Sequence, residues 1–323
     1  MLPRLYRSAL PVLCALGISA ATAQTFPSQP IRLVVGFQAG GPTDVAARIA
    51  AEVLTAKLGA PVVVENRPGA SGAIAASAVA NAKADGHTLL VHVTADIINP
   101  VANREPDNFI TKRFAPIALI AAAPNVLVVH PSLPVASVKE LASFARSSKG
   151  GLSYASAGQG TVSHLSGVLF ANAIGVPMVH VPYKGTAAAQ VDLLAGRVPV
   201  MFDSLISGLA NAEAGKLKVL AVTSPSRWPA APNLPTLAES GFPETDVMAV
   251  FGLVAPAATP KPVISRISAV LLEGMQSADV HKRIQQIGAE PGTLGPQAYG
   301  EYLETQTARW QKLSAEGKLD LKQ

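Results

Sequence analysis

The sequence predicts an α/β protein built as two hinged lobes around a cleft, and three observations carry that expectation. Continuous apolar strand segments alternate with helical stripes along the whole mature chain. The same design, a strand followed by a glycine turn and a helix start, occurs in both halves (Gly36 to Asp44 and Ser156 to His164). The two sets of elements are joined at two places, near Leu119–Ala123 and near Ser224–Val254, and two crossings make a hinge.

The first 23 residues stand apart. Arg4 and Arg7 precede an apolar run, Leu10 to Ala20, that is too short to span a bilayer comfortably. Ala21-Thr22-Ala23 is a small-x-small cleavage site, so the segment reads as a secretory signal peptide cut after Ala23, before Gln24. Cys14, the single cysteine, leaves with it. The mature chain is therefore expected to hold no disulfide, no cysteine metal site and no reactive thiol.

Ile31 to Val35 reads as a buried strand, and Asp44 to Leu58 as a helix with a stripe of Val45, Ile49, Val53 and Leu58 ended by Gly59. A strand at Val62–Val64, a loop at Pro68–Gly72, an alanine-rich helix through Ala82 and a strand at Thr88–Val93 follow. The second set has strands at Asn125–Val129, Leu152–Ala155, Val179–Val181, Val198–Phe202 and Leu217–Val222. Its helices are expected at Val138–Ser147, Thr161–Ile174 and Ala187–Ala195. A late strand at Phe251–Ala255 precedes helices at Pro262–Met275, Asp279–Ile287 and Pro296–Leu313. The Pro-rich interval from Pro225 to Pro243 breaks the even rhythm a (β/α)₈ barrel needs. Continuous apolar strands imply parallel sheets covered on both faces. The boundaries are residues 24–122 with 225–323 for a discontinuous first lobe, and 123–224 for the second.

Hydrophobic residues make up 49% of the 323-residue chain and charged residues 15%, which suits packed cores and not disorder. The net charge falls from +5 to +3 on loss of Arg4 and Arg7. The positive charges are scattered, without the basic-aromatic runs of nucleic-acid binders. After Gln24 no uninterrupted apolar stretch reaches membrane-spanning length; Ala115–Val129 is broken by Pro116, Pro124 and Asn125. Enzyme and cofactor patterns are missing. Gly158-x-Gly160 has Ser163 where the dinucleotide fingerprint needs its third glycine, and there is no G-x-S-x-G elbow, P-loop or H-E-x-x-H. No cofactor and no metal are expected.

The two glycine turns carry the chemistry. Ligands of open α/β sheets bind at the carboxyl ends of strands, and a first helical turn offers unpaired N–H groups at a positive dipole end. Gly40, Gly41, Thr43 and Asp44 open the first long helix; Thr43 or Asp44 would otherwise simply cap it. Asp44 opposes an anion there, unless it caps amides or meets a cationic group. Ser156, Gly158, Gly160 and Thr161 repeat the design, with Thr161 as a capping residue. His164 sits one turn into that helix, as a structural hydrogen bonder or a ligand contact. Thr94 and Asp203 end strands, and Tyr183 lies in a loop after one; each lines a cleft or shapes the local turn.

The ordered set of segments resembles the Bug family, the substrate-binding components of tripartite tricarboxylate transporters. The segments include Pro30 to Val35, Gly36 to Asp44, Val64-Glu65-Asn66-Arg67-Pro68-Gly69-Ala70-Ser71-Gly72, Tyr154 to Leu165 and His180 to Gly185. They continue through Ala214 to Leu217, Leu220 to Ser224, Leu234 to Gly241 and Gly252 to Pro256, covering the mature chain in order. The resemblance implies a type II periplasmic binding protein fold with two Rossmann-like lobes. It implies a small organic anion, a carboxylate, held by backbone amides, hydroxyls and waters from the two loops, with Phe37 and Ser71 among the ligand-binding candidates. It implies that the Asp203 position sorts ligands bearing an amino group. It also implies a monomer docking to membrane permease subunits, with a sensor role or a periplasmic enzyme as the alternatives. Two departures stand out. Phe251 lies where the family often has Trp nearby, and Asn99 to Glu105 lacks the usual Leu-Tyr after Asn-Pro.

Overall fold

The computed structural model of the protein describes residues 26–102, 109–148 and 151–319. The signal-peptide reading and Asn103 to Glu105 lie outside the described residues.

The first lobe begins with β1 (Ile31–Val35), α1 (Pro42–Leu58), β2 (Val62–Asn66), a 3-10 turn at Ala70–Gly72, α2 (Ala73–Ala80) and β3 (Thr88–Val93). Gly59 ends α1 in the left-handed region, where its N–H closes on Thr55. Next come α3 (Thr94–Ala102), α4 (Phe109–Arg113) and β4 (Phe114–Val129). The second lobe adds α5 (Val138–Ser147), β5 (Leu152–Ser156), α6 (Val162–Ile174), β6 (Met178–Pro182), α7 (Thr186–Leu194), β7 (Val200–Ser204), α8 (Leu205–Glu213) and β8 (Lys218–Val222). The chain returns to the first lobe with β9 (Met248–Pro256), α9 (Lys261–Met275), α10 (Ala278–Gln285), β10 (Glu290–Pro291) and α11 (Pro296–Ala315).

The strands run in the order β2-β1-β3-β9-β4-β7-β5-β6, with β8 and β10 also pairing β4. The expectation of purely parallel sheets needs correction. β1 pairs β2 and β3 in parallel and β5 pairs β6 and β7 in parallel, but β9 is antiparallel to β3 and β4, and β4 is antiparallel to β7 and β8. The antiparallel strands are those that link the lobes. The Asn125–Val129 strand is the second half of the 16-residue β4, whose first half pairs β9 in one sheet and whose second half pairs β7 and β8 in the other. Pro116 and Pro124 do not break it. The register shifts beside Pro116, and Pro124 faces Met248 at the last pair with β9, both places where a missing N–H costs little. Thr94 does not close β3 but opens α3.

Each lobe is packed on both faces of its sheet. One cluster sets Ile31, Leu33 and Leu89 against Ile49 and Leu54 of α1 and Ile267 and Leu271 of α9. On the opposite face Tyr299, Leu303 and Trp310 of α11 meet Ile97 and Ile98 of α3, and Leu165 and Leu169 of α6 join them from the second lobe. Full burial of each such aliphatic side chain contributes roughly 1.5–3 kcal/mol. In the second lobe Leu127, Tyr154, Phe170 and Phe202 pack together on one face, and Val126, Met201 and Leu205 on the other. Among the described residues no helix is long and apolar enough to cross a membrane.

Candidate functional site

A cavity of about 220 Å³ lies between the lobes, where helix starts from both of them meet. Phe37, Pro42 and Thr43 come from the start of α1, Ser71 from the 3-10 turn and Thr94 and Ala95 from the start of α3. Ala157, Thr161, Val162 and Ser163 come from the turn before α6 and its first residues, Thr186 from the start of α7 and Ser204 and Leu205 from the start of α8. β4 contributes Ala123 to Asn125, β9 contributes Ala249 to Phe251, and Ile287 follows α10. Among the described residues no charged side chain lines the cavity.

The two loops open their helices in the same way. α1 starts from Gly41 and α6 from Thr161, both extended, and neither has a side-chain cap bond. The α5 and α10 starts, by contrast, are capped by the hydroxyls of Ser137 and Ser277. Thr161 sits at the capping position but donates its hydroxyl back to the Gly158 carbonyl at 2.6 Å. First-turn amides of α1 and α6 are thus left without that partner where they meet the cavity.

Asp44 is buried, with one carboxylate oxygen accepting the Gly40 N–H at 2.9 Å and Arg48 Nε at 2.8 Å, and the other accepting Arg48 and Asn66. Burial alone would raise its pKa, but the bonds from Arg48, Gly40 and Asn66 outweigh it and hold the carboxyl below its usual range. The cationic partner of Asp44 is therefore Arg48 of its own helix.

His164 Nδ1 accepts the Gly160 N–H at 3.1 Å, and its ring stacks on His180 with centroids 3.8 Å apart. Burial, with the neighbouring His180, lowers its pKa to about 4, so the imidazole is neutral, with its proton on Nε2. Ser156 shares hydrogen bonds with Gly158 and His180 at the base of the loop. Tyr183 donates to Asp192 at 2.6 Å. Asp203 is fully buried and accepts from Gln190 and from the Ser204 N–H, both at 2.8 Å; burial raises its pKa despite those bonds.

Five of the residues singled out from sequence line the cavity: Phe37, Thr43, Ser71, Thr94 and Thr161. Gly40, Gly41, Asp44, Ser156, Gly158, Gly160, His164, Tyr183 and Asp203 are not among its lining residues; Asp44 and His164 bond the glycine turns from within α1 and α6, and Ser156 and Asp203 lie at the ends of β5 and β7. Sequence reasoning passed over Asn125, Ser163, Thr186 and Ser204. Each carries a weak signal: Asn125 interrupts an apolar run, and the others sit within a residue or two of a helix start. The apolar lining from β9 and Ile287 has no local signal at all.

The cleft is closed across its edges. Ser71 Oγ reaches the Gln159 carbonyl at 3.4 Å, and a Cβ on Gly160 would stand 2.5 Å from Asn99 Oδ1. Gly160 also holds φ at +74°, so glycine is required there twice over.

The model of the tripartite tricarboxylate transporter family receptor matches residues 46–319. The chain belongs to that family. The family is one of substrate-binding receptors, and this receptor is a binding protein and not an enzyme. The receptor is 33% identical to the protein BugT of Bordetella pertussis over 297 residues, 91% of each chain. It is similar to an R. palustris protein solved with adipate (37% identity, TM-score 0.77, covering 90% of this chain and 97% of that one). It is also similar to MatC from Rhodopseudomonas palustris with bound malate (32% identity, TM-score 0.77, covering 89% and 99%). The two-lobed α/β fold of this receptor is that of its solved relatives.

Proposed function

We propose that the receptor is exported to the periplasm as a monomer, captures a small carboxylate between its lobes, and delivers it to the membrane permease of a tripartite tricarboxylate-type transporter. The observation that carries this reading is the pair of helix starts, α1 and α6, that open onto one cavity from opposite lobes without a side-chain cap. A helix N-terminus behaves as roughly half a positive charge, and a favourably placed anion there gains about 0.3–2 kcal/mol. Two of them, with the hydroxyls of Thr43, Ser71 and Ser163, supply a grip for a carboxylate where, among the described residues, no arginine or lysine lines the wall. Asp44 does not spoil this field, because Arg48 offsets its charge. The carboxylates held by two relatives, adipate and malate, support the same class of ligand.

Calorimetry with carboxylic acids and their neutral amides tests the reading. Carboxylates should bind one to one, and each amide should bind at least about tenfold more weakly than its acid. Equal binding of acid and amide, or binding of neutral sugars alone, would end it.

A further inference from the structure

We infer that Thr223 is the hinge pin of the receptor: its buried hydroxyl ties the two chain crossings to each other and fixes the axis about which the lobes open and close. The inference holds whatever ligand the cleft takes.

The first crossing is one residue wide. Pro124 makes the last pair of β4 with β9, opposite Met248, and Asn125 makes the first pair with β7, opposite Ser204. The second crossing lies between β8 and β9. Trp228, Ala231 and Leu234 pack in one second-lobe cluster, and Leu237 and Phe242 in the other. Past Pro243 the chain is held by Arg309 of α11. Its guanidinium grips the Asp246 carboxylate at both oxygens, at 2.8 and 3.0 Å, and donates to the Asp246 and Glu244 carbonyls. Thr94 then fastens β9 to the first lobe, accepting the Val250 N–H at 3.0 Å and donating to the Met248 carbonyl at 2.7 Å. Val247 is thus anchored to the first lobe on both sides.

Thr223 follows β8 and is fully buried. Its Oγ1 accepts the Asn125 N–H at 2.8 Å and donates to the Val247 carbonyl at 2.7 Å. Its backbone bonds the same two residues in the opposite sense. The Thr223 N–H donates to the Asn125 carbonyl at 2.9 Å, and the Thr223 carbonyl accepts the Val247 N–H at 3.0 Å. One residue thus engages both backbone groups of both crossings. The backbone alone cannot do this: the hydroxyl supplies one acceptor and one proton, and both are used. Without it the Asn125 N–H and the Val247 carbonyl lose these partners in a buried place. With it the crossings can twist but cannot slide apart, and a fixed axis brings the α1 and α6 starts back to the same meeting point. Asn125 lines the cavity and Thr223 does not, so the pin acts on the cavity wall without touching a ligand.

Spin labels read the distance between lobes directly in the ligand-free receptor. The exposed helix positions Lys139 in α5 and Arg266 in α9 take them as Lys139→Cys and Arg266→Cys, with Cys14→Ser removing the native thiol. Thr223→Val, which keeps the shape and loses the hydroxyl, should broaden the interlobe distance distribution about twofold or more. Thr223→Ser, which keeps the hydroxyl, should restore the parent's distribution. A Thr223→Val distribution as narrow as the parent's, with only the urea midpoint lowered, makes Thr223 an ordinary core residue and overturns the inference. Equal broadening in Thr223→Ser overturns it too. If Thr223→Val does not fold, amide exchange in the ligand-free parent decides. The Asn125 and Val247 amides should exchange as slowly as those of Leu127 and Val128 within β4. Exchange as fast as that of exposed loop amides would show that the bonds break when the lobes move, and would overturn the pin.

Discussion

Asp44 and His164 occupy the same position of their two helices, and each accepts the N–H of the glycine four residues before it, Gly40 at 2.9 Å and Gly160 at 3.1 Å. Each lobe thereby fixes its glycine turn from inside the helix. The device spares the capping position, which makes no side-chain bond to a first-turn amide in either helix. One lobe uses an acid neutralised by Arg48 and the other a neutral imidazole stacked on His180.

The His164 ring can be removed while a hydrogen-bond acceptor is kept. His164→Ala leaves the Gly160 N–H without its partner and loosens the turn, which should weaken carboxylate binding by about three- to tenfold. His164→Asn, which offers an oxygen in place of Nδ1, should recover most of that. Equal losses in the two variants, measured by calorimetry, would show that the ring and not its acceptor matters.

Arg48 should act through Asp44. Arg48→Met leaves a buried carboxylate beside the helix start that is to receive the anion, and affinity should fall several-fold at neutral pH. The double variant Asp44→Asn with Arg48→Met should bind within about twofold of the parent. A double variant as weak as the single one would mean that Arg48 reaches the ligand by another route.

Gly160→Ala should damage closure more than folding. Its Cβ would meet Asn99 Oδ1 at 2.5 Å, and φ at +74° adds left-handed strain of about 1–2 kcal/mol. Affinity should drop about tenfold or more, while the urea midpoint moves modestly. Pairing with Asn99→Ala should return part of the affinity by clearing the clash.

The first lobe also buries a titrating acid. Asp96 accepts the Val93 N–H at 2.8 Å, and burial raises its pKa to about 7. His92, bonded to Tyr299, is lowered by burial to about 4. The folded state binds the Asp96 proton more tightly than the unfolded chain, whose aspartates titrate near pH ~4. Its contribution to stability is therefore lost as pH rises from about 4 to about 7. Asp96→Asn should be more stable than the parent by an amount that grows across that window and levels off above it, on the order of 4 kcal/mol. His92 and His164 act in the opposite sense, losing stability as pH falls through the range from about 6.5 toward 4, but they are common to both proteins. Urea titrations of both proteins across that pH range check it. A constant difference would contradict the assignment.

The order of elements was legible because valine- and leucine-rich strands, helical stripes and glycine stops such as Gly59 are local signals. β4 was not legible as one strand, since Pro116 and Pro124 mark breaks unless the partner strand tolerates them, and that depends on β9 far along the chain. Strand direction was equally hidden, because an apolar run reads the same in parallel and antiparallel sheets. α3 escaped notice because Thr94 extends a strand pattern and Pro100 sits within the helix. The loop side of the cavity could be read from glycines beside helix starts. Ala249, Phe251 and Ile287 could not, since only tertiary packing brings a strand and a post-helix residue to the same wall.

The central claim is that helix starts from both lobes hold one carboxylate. A crystal structure with adipate or malate bound tests it most directly. The account predicts carboxylate oxygens at hydrogen-bond distance, about 2.7–3.2 Å, from first-turn N–H groups of both α1 and α6. A carboxylate touching only one lobe, or seated on a lysine or arginine outside the cavity, would contradict it.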